Sequence, residues 1–366
     1  MKIIFFLLIN LFFSYSANGE IQKTIGIFTQ PRIGLEWDPE SIKTGITGSE
    51  EAVIYISQKL AKLAYKIIVF GNPPPGSLHS SPQANPRFVT LDPAHIPNMD
   101  IAISWRMPNI GEALRKYGRK VYLWPHDTCT VRLTHAQILS FDDVLWLSEW
   151  QRQQWISLNP DLAQFTKIFG NGINPEQFKQ IQERENPYAC IYGSNYARGL
   201  EILLDLWPTV KKKFPLATLD IYYGWQHWGL LSSKKEAKMR TQIAQLGSLG
   251  VQDHGLVGHE ELNRAYEKAA FWTYPCTQSE TFCITALRAQ LAGAIPVVIV
   301  HSALQETVPH GYQCSSRQEY LQTLLKALGH AEEISLEKRS EMGTFILERF
   351  TWDKIAMKWH ELFETL

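Results

Sequence analysis

Residues 279–298 read SETFCITALRAQLAGAIPVV. An apolar run over 271–274 precedes this stretch, and a second, 295–300, overlaps its end. Between them 282–292 reads as a helix, Gly293 fits its C-terminus, and Pro296 begins the next strand. The unit is therefore a strand, a tight turn carrying the acid Glu280, a helix and another strand. The first amides of such a helix have no partners within it. With the helix dipole they form an anion site at the carboxyl edge of the sheet.

Working outward, the same alternation continues on both sides. Strands are expected at 188–192 and 218–223, with helices at 199–214 and 233–246. In the first half strands are expected at 24–29, 66–70, 87–91, 100–105, 120–123 and 143–148. A helix over 50–64 places Val53, Ile56, Leu60 and Leu63 on one face. Glycine, asparagine and proline interrupt both periodicities at 170–175. From Thr351 onward, Ile355, Trp359 and Leu362 fall at helical spacing. The expected organisation is two doubly wound Rossmann-like α/β domains, 20–172 and 173–350, with a closing helix at 351–366. Two such sheets joined by a short hinge form a cleft between their carboxyl edges, where open α/β proteins bind ligands.

Composition narrows what the cleft binds. Lysine plus arginine and aspartate plus glutamate are 36 each, so the basic excess of a nucleic-acid partner is missing. An anionic ligand must be held locally, by a few arginines and helix ends. The five cysteines, Cys129, Cys190, Cys276, Cys283 and Cys314, include no C-x-x-C pair. They predict buried free thiols rather than a disulfide framework or a zinc site, and no Asp-x-Asp run suits a divalent ion. At the N-terminus Lys2, the apolar run 3–13 and the small residues up to Gly19 have the layout of a secretory signal. The run is too short to span a bilayer, which takes ~20 apolar residues. Any membrane association is expected only through 1–19. The compartment is secreted, periplasmic or luminal if that segment is a signal, and cytoplasmic if it is a hydrophobic extension.

The 279–298 segment resembles the E-x7-E segment of the retaining GT-B glycosyltransferases of family 4. The resemblance implies that Glu280 meets the transferred sugar, while the amides of Thr281, Phe282 and Cys283 hold phosphate. The second acid would fall at 288, where this chain has Arg288. An arginine cannot accept hydrogen bonds from ribose hydroxyls. It implies a phosphate contact, a differently seated nucleotide or a site that has lost activity.

Other segments are similar to the same family in the expected order. Gly45, Thr47 and Gly48 precede a helix and form an acceptor or phosphate loop, where glycine lets backbone approach a ligand. Arg106 ends one strand and carries a cation into the cleft. His126 ends another and resembles a histidine on the acceptor side. Gly193 and Ser194 lead to Arg198, which fills a lysine slot of the family's phosphate-binding pair; the usual preceding arginine is absent. Asn171-Gly172-Ile173 matches the interdomain linker.

The implied reaction is transfer of a sugar from a nucleotide donor to a carbohydrate or other hydroxyl acceptor, with retention. Glu280, His126 and Arg198 carry it, without metal or cofactor. Each residue also has a plainer reading. Glu280 fits a helix-terminal charge, His126 a core histidine, Arg106 and Arg198 surface ion pairs, and Arg288 a solvent-facing helix position. Gly45 and Gly48 fit a capping turn, and Trp225 and Trp228 fit either base stacking or packing. The alternatives are a non-catalytic GT-B domain that binds carbohydrate or nucleotide, and a two-domain solute-binding protein. A nicotinamide dehydrogenase is disfavoured because no G-x-G-x-x-G follows the first strand.

Overall fold

The computed structural model describes residues 22–30, 34–225 and 231–365. The signal-like segment 1–19 and Trp228 lie outside the described residues. Twelve strands form two sheets of six. The first contains β1 (Thr24–Phe28), β2 (Lys66–Gly71), β3 (Arg87–Thr90), β4 (Met99–Trp105), β5 (Gly118–Trp124) and β6 (Asp143–Val144). The second contains β7 (Ala189–Gly193), β8 (Thr218–Tyr222), β9 (Val251–Gly255), β10 (Phe271–Tyr274), β11 (Ile295–Ile299) and β12 (Tyr312–Cys314). Their orders are β3-β2-β1-β4-β5-β6 and β12-β11-β10-β7-β8-β9, with parallel pairing throughout. Each sheet reverses its winding once, between β1 and β4 and between β7 and β10. Those switch points open the crevices in which such sheets bind ligands.

The strands are apolar because both faces are covered. In β2, Ile67 and Val69 join the core on one side, while Ile68 and Phe70 join the core on the other. The chain's last helix, Trp352–Glu364, belongs to the first of these cores. Its Trp352, Ile355, Trp359 and Phe363 pack with Tyr55 and Leu60 of the Gly48–Lys62 helix, and Trp359 lies 4.8 Å edge-on to Trp124. The chain thus crosses between the sheets twice, at 170–174 and at 350–352. Ile173 bridges Thr351 there. A Cβ at Gly172 would come within 2.6 Å of the Trp352 backbone nitrogen, so only glycine allows that approach.

Three elements depart from the sequence reading. The strand expected at 143–148 stops at Val144: Trp146 bridges Ile168, and the Ser148 hydroxyl accepts from the N–H of Gln151 to cap the Glu149–Leu158 helix. The helix expected at 50–64 spans Gly48–Lys62, with Ala64 at φ 65° beyond its end. The helix expected at 282–292 begins at Ile284, because Cys283 sits at φ 72° and cannot propagate a right-handed turn. Phe282 packs instead against Phe350, with ring centroids 5.6 Å apart.

Candidate active site

A cavity of about 520 Å³ lies between the two sheets, within the range of small-molecule sites. On its C-terminal wall Glu280 is almost fully buried. Its Oε1 accepts hydrogen bonds from Nη1 of Arg198, at 2.6 Å, and from the hydroxyl of Tyr274. Its backbone is held as firmly. The Glu280 N–H donates to Oγ of Ser302 at 2.9 Å, and its carbonyl accepts from the Ala303 N–H at 3.2 Å. Ser302 adopts φ 49°. His301 lies beside it, with Nδ1 3.0 Å from that hydroxyl and Nε2 2.9 Å from the Cys276 carbonyl.

Charge is localised within this group. Burial works against the Arg198 cation, but the Glu280 carboxylate and the Tyr274 and Cys276 side chains behind it raise its pKa above the guanidinium value. Burial, then Glu280, pushes the Tyr274 phenol well above its ordinary range, so it stays a neutral donor. The same two causes keep Cys276 and Cys283 as thiols.

Local geometry explains how Arg198 reaches Glu280. Gly193 ends β7 against Tyr266, whose hydroxyl would be 2.3 Å from a Cβ there. Asn195 then turns the chain, its Oδ1 accepting from the Ala197 N–H and its carbonyl from the Arg198 N–H. Ser194 donates to the Tyr274 hydroxyl at 3.4 Å. The helix itself begins only after the Thr281, Phe282 and Cys283 amides. With the helix starting at Ile284, the free first-turn amides are those of Ile284 and Thr285. Thr281 instead joins the walls: its hydroxyl donates to the His126 carbonyl at 2.9 Å, and its carbonyl accepts from Ser148 at 2.8 Å.

The N-terminal wall holds His126, flanked by Trp124 and Trp105 at ring distances of 4.5 and 5.7 Å. Its Nε2 has no partner among the described residues. Burial, reinforced by the Arg106 charge, holds its pKa well below 6.5, so the imidazole is neutral. Arg106 is left-handed at φ 68° and is engaged twice by Asp127, with Nε and Nη2 at 2.6 and 2.7 Å. Gly45, at φ 110°, packs against the C-terminal domain; a Cβ would lie 2.7 Å from the Val257 carbonyl. The Thr47 hydroxyl bonds Glu50, and Gly48 faces Ile284, so the first turns of two helices meet across the cavity.

Arg288 is not solvent-facing. It is 2% exposed, with Nη2 2.9 Å from Oε1 of Glu51 and Nη1 bonded to Asn263. His259, also buried, has Nδ1 3.7 Å from the same Glu51 oxygen. Glu51, Asn263 and His259 were not visible as site residues. The partners are far apart in the chain, and each alone reads as an ordinary helix residue. Trp225 packs on Tyr196, donates to Asp253 at 2.9 Å and lies under the Arg240 guanidinium. It is a packing residue in this arrangement. Among the described residues, no group of three His, Cys, Asp or Glu could hold a metal ion.

No protein-family model matches the sequence, and no curated protein matches it. Solved structures match its fold. Sucrose-phosphate synthase from Thermosynechococcus elongatus superposes with a TM-score of 0.73 at 15% identity, over 94% of this chain and 99% of that one. HepE of Anabaena in complex with UDP gives 0.72 at 15% identity, over 94% and 100%. A glycosyltransferase from Rickettsia africae gives 0.69 at 12% identity, over 94% and 98%. The chain has the GT-B fold.

Proposed function

We propose that this chain is a glycosyltransferase that moves a sugar from a nucleoside diphosphate donor to a hydroxyl acceptor, with retention and without a metal. One observation carries the reading. The Glu280 carboxylate is fixed by Arg198 and Tyr274 beside a helix N-terminus, inside a cavity between two Rossmann-like sheets. HepE has been solved with UDP and with UDP-glucose, which makes uridine diphosphate sugars the first donors to test. Retention rests on the family resemblance of the Glu280 segment.

In this reading the leaving diphosphate lies against the amides of Ile284 and Thr285 and the Arg198 cation. Fixed donors there stabilise the charge that develops as the glycosidic bond breaks. Glu280 keeps one carboxylate oxygen on Arg198 and Tyr274 and offers the other to a hydroxyl of the sugar. His126, neutral and walled by tryptophans, orients a hydroxyl and is not the base. Closure of the cleft excludes water and suppresses donor hydrolysis.

The test is transfer and hydrolysis of a panel of nucleotide sugars by wild type, Glu280→Gln and Arg198→Ala. Both variants are expected to lose about 10²-fold or more in turnover while remaining folded. A second reading, a GT-B domain that binds nucleotide or carbohydrate without turnover, is favoured by Arg288, whose guanidinium is already occupied by Glu51. Donor binding without turnover in the wild type would select it.

A further inference from the structure

If the diphosphate occupies the C-terminal wall, the acceptor is left with the N-terminal wall, and the charges there restrict it. Among the described residues that line the cavity from this wall, Arg106 is the one guanidinium and there is no lysine. Its charge is answered by two carboxylates, one hydrogen-bonded and one at ion-pair distance. Nε and Nη2 are satisfied by Asp127, and Nη1 points toward Glu50 at 3.9 Å. A guanidinium flanked by two carboxylates offers little net positive charge to a further anion. It is also fixed in place, with a left-handed backbone and Cζ 5.0 Å from the Trp105 ring centroid.

The other candidate for anion binding on this wall is the N-terminus of the Gly48–Lys62 helix. Its own first turn carries Glu50 and Glu51, which oppose an incoming anion at the positive end of the dipole. Arg288, reaching in from the opposite wall, is consumed by Glu51. The remaining polar groups are neutral: Thr47, Ser49, Asn171 and His126. Oδ1 of Asn171 and Nε2 of His126 are buried without partners among the described residues. A hydroxyl group suits both, since it can donate to the amide oxygen and either donate to or accept from the imidazole nitrogen.

We propose that the acceptor is an uncharged polyhydroxy compound and not a phosphate ester, and that the Arg106–Asp127 pair enforces this choice. The inference rests on the transferase reading, and it assigns Asp127 as a specificity-determining residue. Without Asp127, Arg106 would present its planar fork to a phosphate.

The experiment uses matched acceptors with and without a phosphate ester: glucose and glucose 6-phosphate, fructose and fructose 6-phosphate. Each is assayed with the donor that the wild type turns over, and compared in wild type and Asp127→Asn. The expected result is a kcat/KM at least about tenfold higher for the neutral member in wild type. In Asp127→Asn that ratio narrows about tenfold or inverts, because a nearby charge is worth about that much or more. A wild type that prefers the phosphate ester, or a ratio unmoved in Asp127→Asn, overturns the proposal. Failure of the transferase reading looks different, as no donor is then consumed with any acceptor. In that case calorimetry with the same four compounds decides. Tighter binding of a phosphate ester by Asp127→Asn than by wild type supports the assignment, and equal or absent binding overturns it.

Discussion

Nη2 of Arg288 lies 2.9 Å from Oε1 of Glu51, and the two side chains, 3% and 4% exposed, come from opposite domains. A pair so buried pays a desolvation cost that only its mutual attraction offsets, so removing one partner strands a charge. Arg288→Met alone is expected to cost about 3–5 kcal/mol. Arg288→Met combined with Glu51→Leu is expected to recover most of that loss. Thermal unfolding of both variants is the measurement. A single variant that melts with the wild type would show that the pair does not hold the domains together.

His126 sets a pH dependence. Burial, then Arg106, holds its folded pKa well below the 6.5 of the free side chain. His259 is lowered in the same direction, chiefly by burial. Below 6.5 the unfolded chain binds protons that the folded chain refuses, so stability falls as the pH drops toward the folded pKa values. The contribution is complete above 6.5. Each group adds a slope of up to about 1.4 kcal/mol per pH unit. His126→Phe should therefore lose less stability between pH 7.5 and pH 5 than wild type, by denaturant unfolding at both values. An equal loss in the two proteins would mean that His126 takes up its proton without hindrance in the folded state.

Ser302 and His301 act on Glu280 through its backbone. Ser302 accepts from the Glu280 N–H while its own φ of 49° is unfavourable for a residue with a Cβ. Ser302→Gly removes the hydroxyl and relieves the backbone together; Ser302→Ala removes only the hydroxyl. Both are expected to lower kcat about tenfold or more with little change in donor KM, since a small displacement of a reacting group is costly. Melting temperatures separate the two, with the glycine variant the more stable. Full activity in Ser302→Gly would leave the turn with no role in placing Glu280.

These residues show where sequence stops being informative. The parallel strands were readable because both their faces are buried, which makes each a short apolar run. Glu280, Arg198 and Gly193 were readable because each stands at a strand–helix junction whose chemistry is local. The partners were not. Arg288 meets Glu51 across 237 positions, and Arg106 meets Asp127 only because β4 and β5 are adjacent. The start of the helix after Glu280 was misplaced by two residues. No composition rule foretells that Cys283, rather than a glycine, takes the left-handed conformation before Ile284.

Glu306 provides a further link between the domains, and it differs in kind from the Arg288–Glu51 pair. Its carboxylate accepts from the N–H groups of Glu149 and Trp150, at 3.0 and 2.8 Å. Those are the first two amides of the Glu149–Leu158 helix, which no turn of that helix can satisfy. A carboxylate at a helix N-terminus is favourable by about 0.3–1 kcal/mol when exposed, as Glu306 is, and salt screens it. Glu306→Gln should therefore hardly change the melting temperature. Its effect should fall on domain closure, because the contact exists only when the domains are together. Donor KM is expected to rise several-fold in Glu306→Gln while kcat stays within about twofold, the pattern of lost uniform binding. Wild-type KM should also climb with ionic strength more steeply than that of the variant, so that the two converge at high salt. Steady-state kinetics of both proteins from low to high salt test this. Parallel salt curves would show that the Glu306 carboxylate takes no part in closing the cleft.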